Sequence, residues 1–409
     1  MPINLGLTRV IKLLAHLSNP HSCYKSIHVA GTNGKGSVLA YISSILTTAQ
    51  IRNGKFTSPH LIEYHDCISI NNQTYPKSKF EQVHQLVGST NEQYGLKCTE
   101  FELLTVTAFK IFELEKVEIA LIEVGVGGAL DATNVLEPWN GTGGVIACGI
   151  TKIGLDHQGL LGDTLSAIAR EKSGILKPGI KCFVDGSNDD SVLDVIQQTA
   201  VQVKSEVEIV KPELDLVRYS PLHGQYQANN LAISLGIVKS LDYNITQDVI
   251  IQGIKSTKWP GRLQSVIHPT IGEILVDGAH NESAAIELGK YINETYDSSN
   301  KGVIYIIGIT KGKSAEKLLR HIIRDSDSII LTTFTQPENM PWVKPTPVAD
   351  LKSIAQKLTK DVHSVDDVKQ VFDYVKTEFK DKGDDRRVVV CGSLYLVADI
   401  LHQVGYSCI

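Results

Sequence analysis

Residues 31–37 read Gly31-Thr32-Asn33-Gly34-Lys35-Gly36-Ser37, three glycines around one lysine with a hydroxyl close behind. Such a loop can hold an anion. Glycine lets successive backbone N–H groups converge, and a helix starting there adds partial positive charge. Lys35 supplies a mobile cation, and Ser37 an oxygen for phosphate or Mg²⁺. The spacing departs from the strict G-x-x-x-x-G-K-[ST] pattern, because Val29 stands at the first glycine position and Gly36 separates Lys35 from Ser37. The flanks decide between a phosphate loop and a plain Gly-rich turn. The β-branched run Ile27-His28-Val29-Ala30 enters the loop, and the apolar pattern Val38–Leu46 leaves it as a helix would. That strand–loop–helix order predicts ATP or GTP as ligand.

Other side chains are placed for acid–base or metal chemistry. Ile119–Val124 is a continuous apolar run that suits a buried parallel strand. Glu123 lies at its carboxyl end, where open α/β sheets place ligands. A buried carboxylate needs a partner, which Mg²⁺ or a basic side chain can be. Gly144–Ile150 repeats the pattern and leads to Leu155-Asp156-His157, so His157 also stands beyond a strand end, as a ligand or as an ordinary structural histidine. Ser58 precedes Pro59 in the segment Gly54–Leu61, which reads as an extended or turned loop because proline bars helix at the residue before it. Alone, Ser58 is a turn serine. Lys172, in Arg170-Glu171-Lys172-Ser173-Gly174, reads as a solvated lysine at a helix end capped by Gly174. Gly125-Val126-Gly127-Gly128-Ala129-Leu130 comes close to a dinucleotide fingerprint but puts Leu130 at the third glycine, so NAD is not expected.

These residues need a frame. At 409 residues the chain exceeds one ordinary domain. Helices are expected over Leu7–Leu17, Phe101–Glu115 and Gln225–Val238, the last carrying Gln227 and Asn230 in its first turns. Pro212–Pro221 reads as a connecting strand and loop. From Glu273 the strand–helix alternation starts again, with strands in 273–281, 303–308, 328–331 and 387–392 and no second phosphate loop. The break is placed at His268-Pro269-Thr270-Ile271-Gly272, read as a hinge. This gives an N-terminal ATP-binding domain over 1–266, with a P-loop-type, mostly parallel sheet, and a smaller Rossmann-like α/β domain over 267–409. Hydrophobic content of 42% and a net charge of −5 describe a globular chain without the cationic face of a nucleic-acid binder. No apolar run approaches the roughly 18 residues that span a bilayer. Seven scattered cysteines without a C-x-x-C pair read as reduced thiols. Met1–Leu7 has neither signal nor transit character, so a cytoplasmic protein is expected, and a monomer.

Seven stretches in this order resemble the folylpolyglutamate/dihydrofolate synthase branch of the Mur-ligase superfamily: Gly31–Ser37, Thr57–Leu61, Glu123–Gly128 with Leu130–Asn134, Leu155–His157, Arg170–Lys172, Trp259–Arg262 and Asp277–Asn281. Within the branch, Leu96–Leu104, Gly224–Gln227, Met340–Trp342 and Val389–Tyr395 are most similar to the fungal dihydrofolate synthases. The resemblance implies that Gly31, Thr32, Asn33, Gly34, Lys35, Gly36 and Ser37 hold the ATP phosphates. It implies Mg²⁺ on Ser37, Ser58, Glu123 and His157, and a lysine carbamylated to a metal-binding anion at Lys172. Lys35, His157 and Lys172 would thus be catalytic. Asn230 and Arg262 would reach ATP from the linker side, and Asp277 and His280 from the second domain. Two departures stand out: Ala129, where many relatives have arginine, and Tyr64-His65-Asp66-Cys67, which replaces a more basic run.

The implied reaction is ATP-dependent amide formation between L-glutamate and dihydropteroate through an acyl phosphate. A folate already bearing glutamate is the competing acceptor. A nucleotide switch without ligase chemistry is the reading from another class, and the Ser58, Glu123 and His157 set argues against it.

Overall fold

The computed structural model describes residues 5–296 and 301–406; the first four residues and Cys408 lie outside the described residues. The chain forms two sheets, of eight and six strands. The first contains β1 (Lys25–Ala30), β2 (Asn53–Phe56), β3 (Ile68–Ile70), β4 (Gln73–Thr74), β5 (Ile119–Glu123), β6 (Gly144–Ile150), β7 (Lys181–Asp185) and β8 (Glu206–Val210). Their spatial order is β4-β3-β2-β5-β1-β6-β7-β8, parallel except that β3 pairs antiparallel with both β2 and β4. β1 and β5, the apolar runs of the sequence, are central and buried along almost their whole length. Strands buried on both faces carry no polar alternation, which is why they read as continuous hydrophobic runs.

Helices α1 (Thr8–His16), α2 (Lys35–Thr48), α3 (Lys77–Gln93), α4 (Glu100–Leu114), α5 (Gln158–Leu161), α6 (Leu165–Ser173), α7 (Asp190–Val203), α8 (Gln227–Ser240) and α9 (Gln247–Lys255) cover this sheet. α2 is buried from Gly36 to Leu46 and packs on α8 and α9. A helix apolar on all sides is one enclosed by protein, and its first turn is thereby held rigidly under the loop before it. α4 opens with a reciprocal capping box between Thr99 and Glu102.

Two segments depart from the expectations above. Asn53–Phe56, read as loop, is a parallel strand between β3 and β5. Its Asn-Gly-Lys composition hides it, since tertiary pairing overrides weak strand propensity. The connecting strand expected in 212–221 lies earlier, as β8, and Val217–Tyr219 is a 3₁₀ turn.

The second sheet contains β9 (Gln264–His268), β10 (Gly272–Val276), β11 (Ile304–Ile307), β12 (Ser328–Leu331), β13 (Val362–Ser364) and β14 (Val388–Cys391), in the order β13-β12-β11-β14-β10-β9. Four of these strands match expectation. β9 and β13 are additional, with mixed exposure that blurs their pattern. β9 runs antiparallel to β10, so His268–Gly272 is the tip of a hairpin and not a hinge. Turn residues look alike in either setting, and Gly272 (φ +80°) supplies the left-handed step. Residue 266 thus falls inside a strand, and the chain crosses between sheets over 256–263. No helix among the described residues is long and apolar enough to cross a membrane.

The two units are docked. Leu61 and Ile62, after β2, pack into the apolar face of the second sheet beside its last helix, Leu394–Gln403. The carboxyl ends of β1, β5 and β6 then face the segment after β10.

Candidate active site

The phosphate loop joins β1 to α2. Gly34 has φ +97°, and a Cβ there would meet Asn230 Oδ1 at 2.2 Å. Only glycine allows that turn with Asn230 against it. First-turn amides of α2 have no intrahelical acceptor and aim at whatever sits on the helix N-terminus. Ser37, on that turn, is buried. Thr32 and Asn33, expected to face phosphate, are engaged elsewhere. The Thr32 hydroxyl pairs with Gly154, and both backbone amides donate to the Lys152 carbonyl. The Asn33 amide reaches into the second domain.

Lys35 Nζ folds back over its own loop, donating to the Gly31 and Thr32 carbonyls and lying 3.5 Å from Glu123 Oε1. Glu123 is 5% exposed. Burial pushes its carboxyl up, while Lys35, the Ser58 backbone amide and Arg262 draw it down. The carboxylate thus has a basic partner and touches the Ser58 segment, joining two predicted residues. Asp66 shapes that segment: its carboxylate accepts the Leu61, Ile62 and Glu63 amides at 2.7–3.0 Å, while Tyr64 donates to Glu100 at 2.7 Å. The departure at 64–67 is therefore a self-bonded turn.

Lys172 is where the local reading fails most clearly. It is 5% exposed, and Nζ donates 2.8 Å across to the Gly31 carbonyl of the phosphate loop. Burial and then the Lys35 charge lower its ammonium to about 7, against Asp156 and Asp131. Gly174 is not a left-handed cap, with φ −61°; it is a close-packing point, since a Cβ there would meet the Ala129 Cα at 2.4 Å. The Ala129 amide donates to the Glu171 carbonyl, and Asn134 bridges the Ala129 and Gly174 carbonyls at 3.0 Å each. These bonds clamp the end of α6 and aim Lys172 at the loop.

His157 has φ +51°, an uncommon left-handed conformation outside glycine. Its imidazole is held below its ordinary value by partial burial and by the charges of Lys313, Lys172 and Lys35, against Asp156, so a lone pair stays available. Among the described residues no three His, Cys, Asp or Glu side chains are grouped to hold a metal unaided. A divalent ion here would need hydroxyls and ligand oxygens beside Glu123, the oxygen-rich shell that Mg²⁺ favours.

From the second domain, Asn281 and Asn33 exchange side-chain hydrogen bonds of 3.1 and 3.2 Å, and Asn33 donates to Ser283 at 2.7 Å. His280 Nε2 lies 3.6 Å from Asp156, its Nδ1 against the Gly278 carbonyl at 2.8 Å. Asp277 spends both oxygens on the Leu263 and Ala279 amides, 2.8 and 2.9 Å away, and so anchors the linker beside Arg262. Asn230 bonds Gln227 at 3.0 Å.

Asp156 was missed by sequence reading, its one signal being its place beside His157. It takes a short bond from Lys313, and also meets Asn281 and His280. Burial acts to raise its carboxyl, but the nearby His280 imidazole and the His157 and Lys313 charges hold it well below the usual range. This one carboxylate, in the segment after β6, thus ties the first domain to the second. Removing a hydrogen bond to a charged group costs about 1.5–3 kcal/mol, roughly 10- to 100-fold in an equilibrium. Asp156→Asn is expected to open the domains by about that factor. Small-angle scattering should show a larger radius, and more ADP should form per amide made; wild-type values for both would refute the role.

A phosphate loop at the head of a parallel sheet, a buried carboxylate on its lysine and a second α/β domain docked over both are the parts of a two-domain, nucleotide-dependent ligase of the Mur-ligase type. Over 98% of its length the chain is 40% identical to the dihydrofolate synthetase of Saccharomyces cerevisiae, covering 98% of that protein. The chain belongs to the dihydrofolate synthetase family, of fungal type, within the branch that includes the folylpolyglutamate synthases. A probable dihydrofolate synthetase of Schizosaccharomyces pombe is 38% identical, with 98% of each chain covered. The dihydrofolate synthase/folylpolyglutamate synthase of Bacillus subtilis is 30% identical over 97% of this chain and 94% of its own. The family model for the C-terminal domain of dihydrofolate synthetase matches residues 263–403, beginning one residue before β9. Among solved structures, Mycobacterium tuberculosis folylpolyglutamate synthase complexed with ADP and AMPPCP matches with a TM-score of 0.86 at 25% identity, over 98% of this chain and 96% of that one. The bifunctional Yersinia pestis enzyme complexed with AMPPNP and a Mn ion matches at 0.82 and 25%, over 99% and 95%.

Proposed function

We propose that the chain uses ATP to join the amine of L-glutamate to the carboxylate of 7,8-dihydropteroate, giving 7,8-dihydrofolate, ADP and phosphate. A carboxylate is a poor acyl donor because its leaving group would be oxide. Its oxygen attacks the γ-phosphorus, ADP departs, and the resulting acyl phosphate is opened by the glutamate amine, which expels phosphate. Positioning and charge neutralisation dominate such a transfer. The α2 N-terminus and Lys35 hold the phosphates, and Lys35 leaves Glu123 to do so. Arg262 and Asn230 approach from the linker side, with Asp277 and His280 beyond. A Mg²⁺ ion, held by Ser37, Ser58, Glu123 and His157, would neutralise phosphate charge. Lys172, as its carbamate, would add an anion to that metal site. The docked second domain keeps water from the acyl phosphate.

What carries this reading is the Lys35–Glu123 contact of 3.5 Å beneath a domain docked by Asn33 and Asp156. The choice of dihydropteroate rests on the likeness to the two yeast synthetases. An ADP-release assay with L-glutamate tests it: kcat/KM for dihydropteroate should exceed that for tetrahydrofolate by about tenfold or more, the value of one hydrogen bond to charge. Comparable values would move the protein to a bifunctional role, the one that the name of the Bacillus subtilis relative carries.

A further inference from the structure

β2 carries a charge that the reaction above leaves unused. The register of β2 sets Lys55 beside Leu121 of β5 and Ser69 of β3, inside the sheet, and the residue is 8% exposed. An interior lysine ordinarily has a carboxylate or carbonyl oxygens on Nζ. The neighbouring lysines follow that rule: Lys172 bonds Gly31, and Lys35 bonds Gly31, Thr32 and Glu123. Among the described residues nothing accepts from Lys55. Its ammonium rests against the face of Trp259, 5.2 Å from the ring centroid.

Trp259 relates this lysine to the phosphate loop. A Cβ on Gly36 would meet Trp259 Cζ2 at 2.1 Å, so the indole edge lies directly on the first turn of α2. The same indole offers its face to Lys55. Among the described residues, Glu123 is the one carboxylate whose charge acts on Lys55, and it is already paired with Lys35. An indole face is worth about 0.5–2 kcal/mol to a cation, whereas a hydrogen bond between ammonium and phosphate is charge-assisted on both sides and stronger.

We infer that Lys55 is a second nucleotide cation, whose ammonium leaves the Trp259 face to bond the terminal phosphates of a nucleoside di- or triphosphate seated on α2. This rests on the nucleotide reading of the loop. The ligand is recognised by its polyphosphate tail, so a nucleoside monophosphate gains little. The indole serves as a resting place that spares a buried charge from having no partner while the site is empty of phosphate.

Binding of AMP and of AMPPNP with Mg²⁺, measured by calorimetry on the full chain, separates the possibilities. Lys55→Met keeps the length and apolar burial of the side chain. It should weaken AMPPNP by about tenfold or more and leave AMP unchanged. Equal AMPPNP affinity, or an equal loss for both nucleotides, would overturn the inference, the second outcome marking a merely structural lysine. Fluorescence gives an arm that does not depend on that variant folding. With Trp139 and Trp342 replaced by Phe, Trp259 emission should change with AMPPNP and not with AMP, and an unchanged signal would overturn it too. Lys35→Ala tests the underlying reading separately: if it binds AMPPNP like wild type, the loop is not the phosphate site, whatever Lys55 does.

Discussion

Lys35→Ala is expected to lower amide formation by about 10²–10³-fold at saturating ATP, the range for removing one preorganised charge-stabilising donor. The side chain is the loop's cation, and its present partners are two loop carbonyls and Glu123. In its absence the γ-phosphoryl group loses a fixed positive charge, and buried Glu123 loses the influence that most opposes its upward shift. The fold should persist. Lys35 begins α2 without capping it, and the helix is held by its buried stretch Gly36–Leu46. Circular dichroism and the melting temperature should therefore stay near wild type while ADP release falls. Wild-type turnover would remove Lys35 from the mechanism.

Lys172→Ala should be nearly as damaging, and its defect should be repairable. Carbamylation joins the neutral amine nitrogen to the carbon of CO₂ and releases one proton. With the ammonium lowered to about 7, the neutral amine predominates above that pH and is lost below it. Activity at fixed CO₂ should accordingly rise across neutrality, and the alanine variant should lose that dependence. Removing an anion that supports a metal site costs about 10- to 100-fold. Acetate or formate entering the vacated space should restore part of this loss, because it returns the anion without the lysine. Full activity in the variant, or a defect indifferent to both acids, would exclude the carbamate. An unmodified lysine would keep its hydrogen bond to Gly31 and show no dependence on CO₂.

Much of the frame was legible in the chain alone because its signals are local. A glycine loop between a β-branched run and an apolar helix specifies a strand–loop–helix unit, and β1 and α2 follow as expected. Glu123 could be placed at a strand end because continuous apolar runs mark buried parallel strands, and β5 ends on it. The helices over 8–16 and 100–114 and the proline-broken loop at Ser58 are likewise properties of neighbouring residues. The tertiary structure decided what depends on distant partners. Asn53–Phe56 is a strand only because β3 and β5 flank it, and the supposed hinge is a hairpin only because β9 finds β10. Lys172 has the composition of a solvated helix end; its burial comes from the Ala129–Gly174 contact and the Gly31 carbonyl on the far side of the cleft. Asp156 carried only its place beside His157, and Lys55 no pattern at all. Their meaning lies in Lys313, 157 residues away along the chain, and in Trp259, more than 200 away, which only the closed fold brings against them. Periodicity and turn chemistry encode a segment's own conformation, whereas the burial and pairing of a charge are settled by whichever segments pack around it.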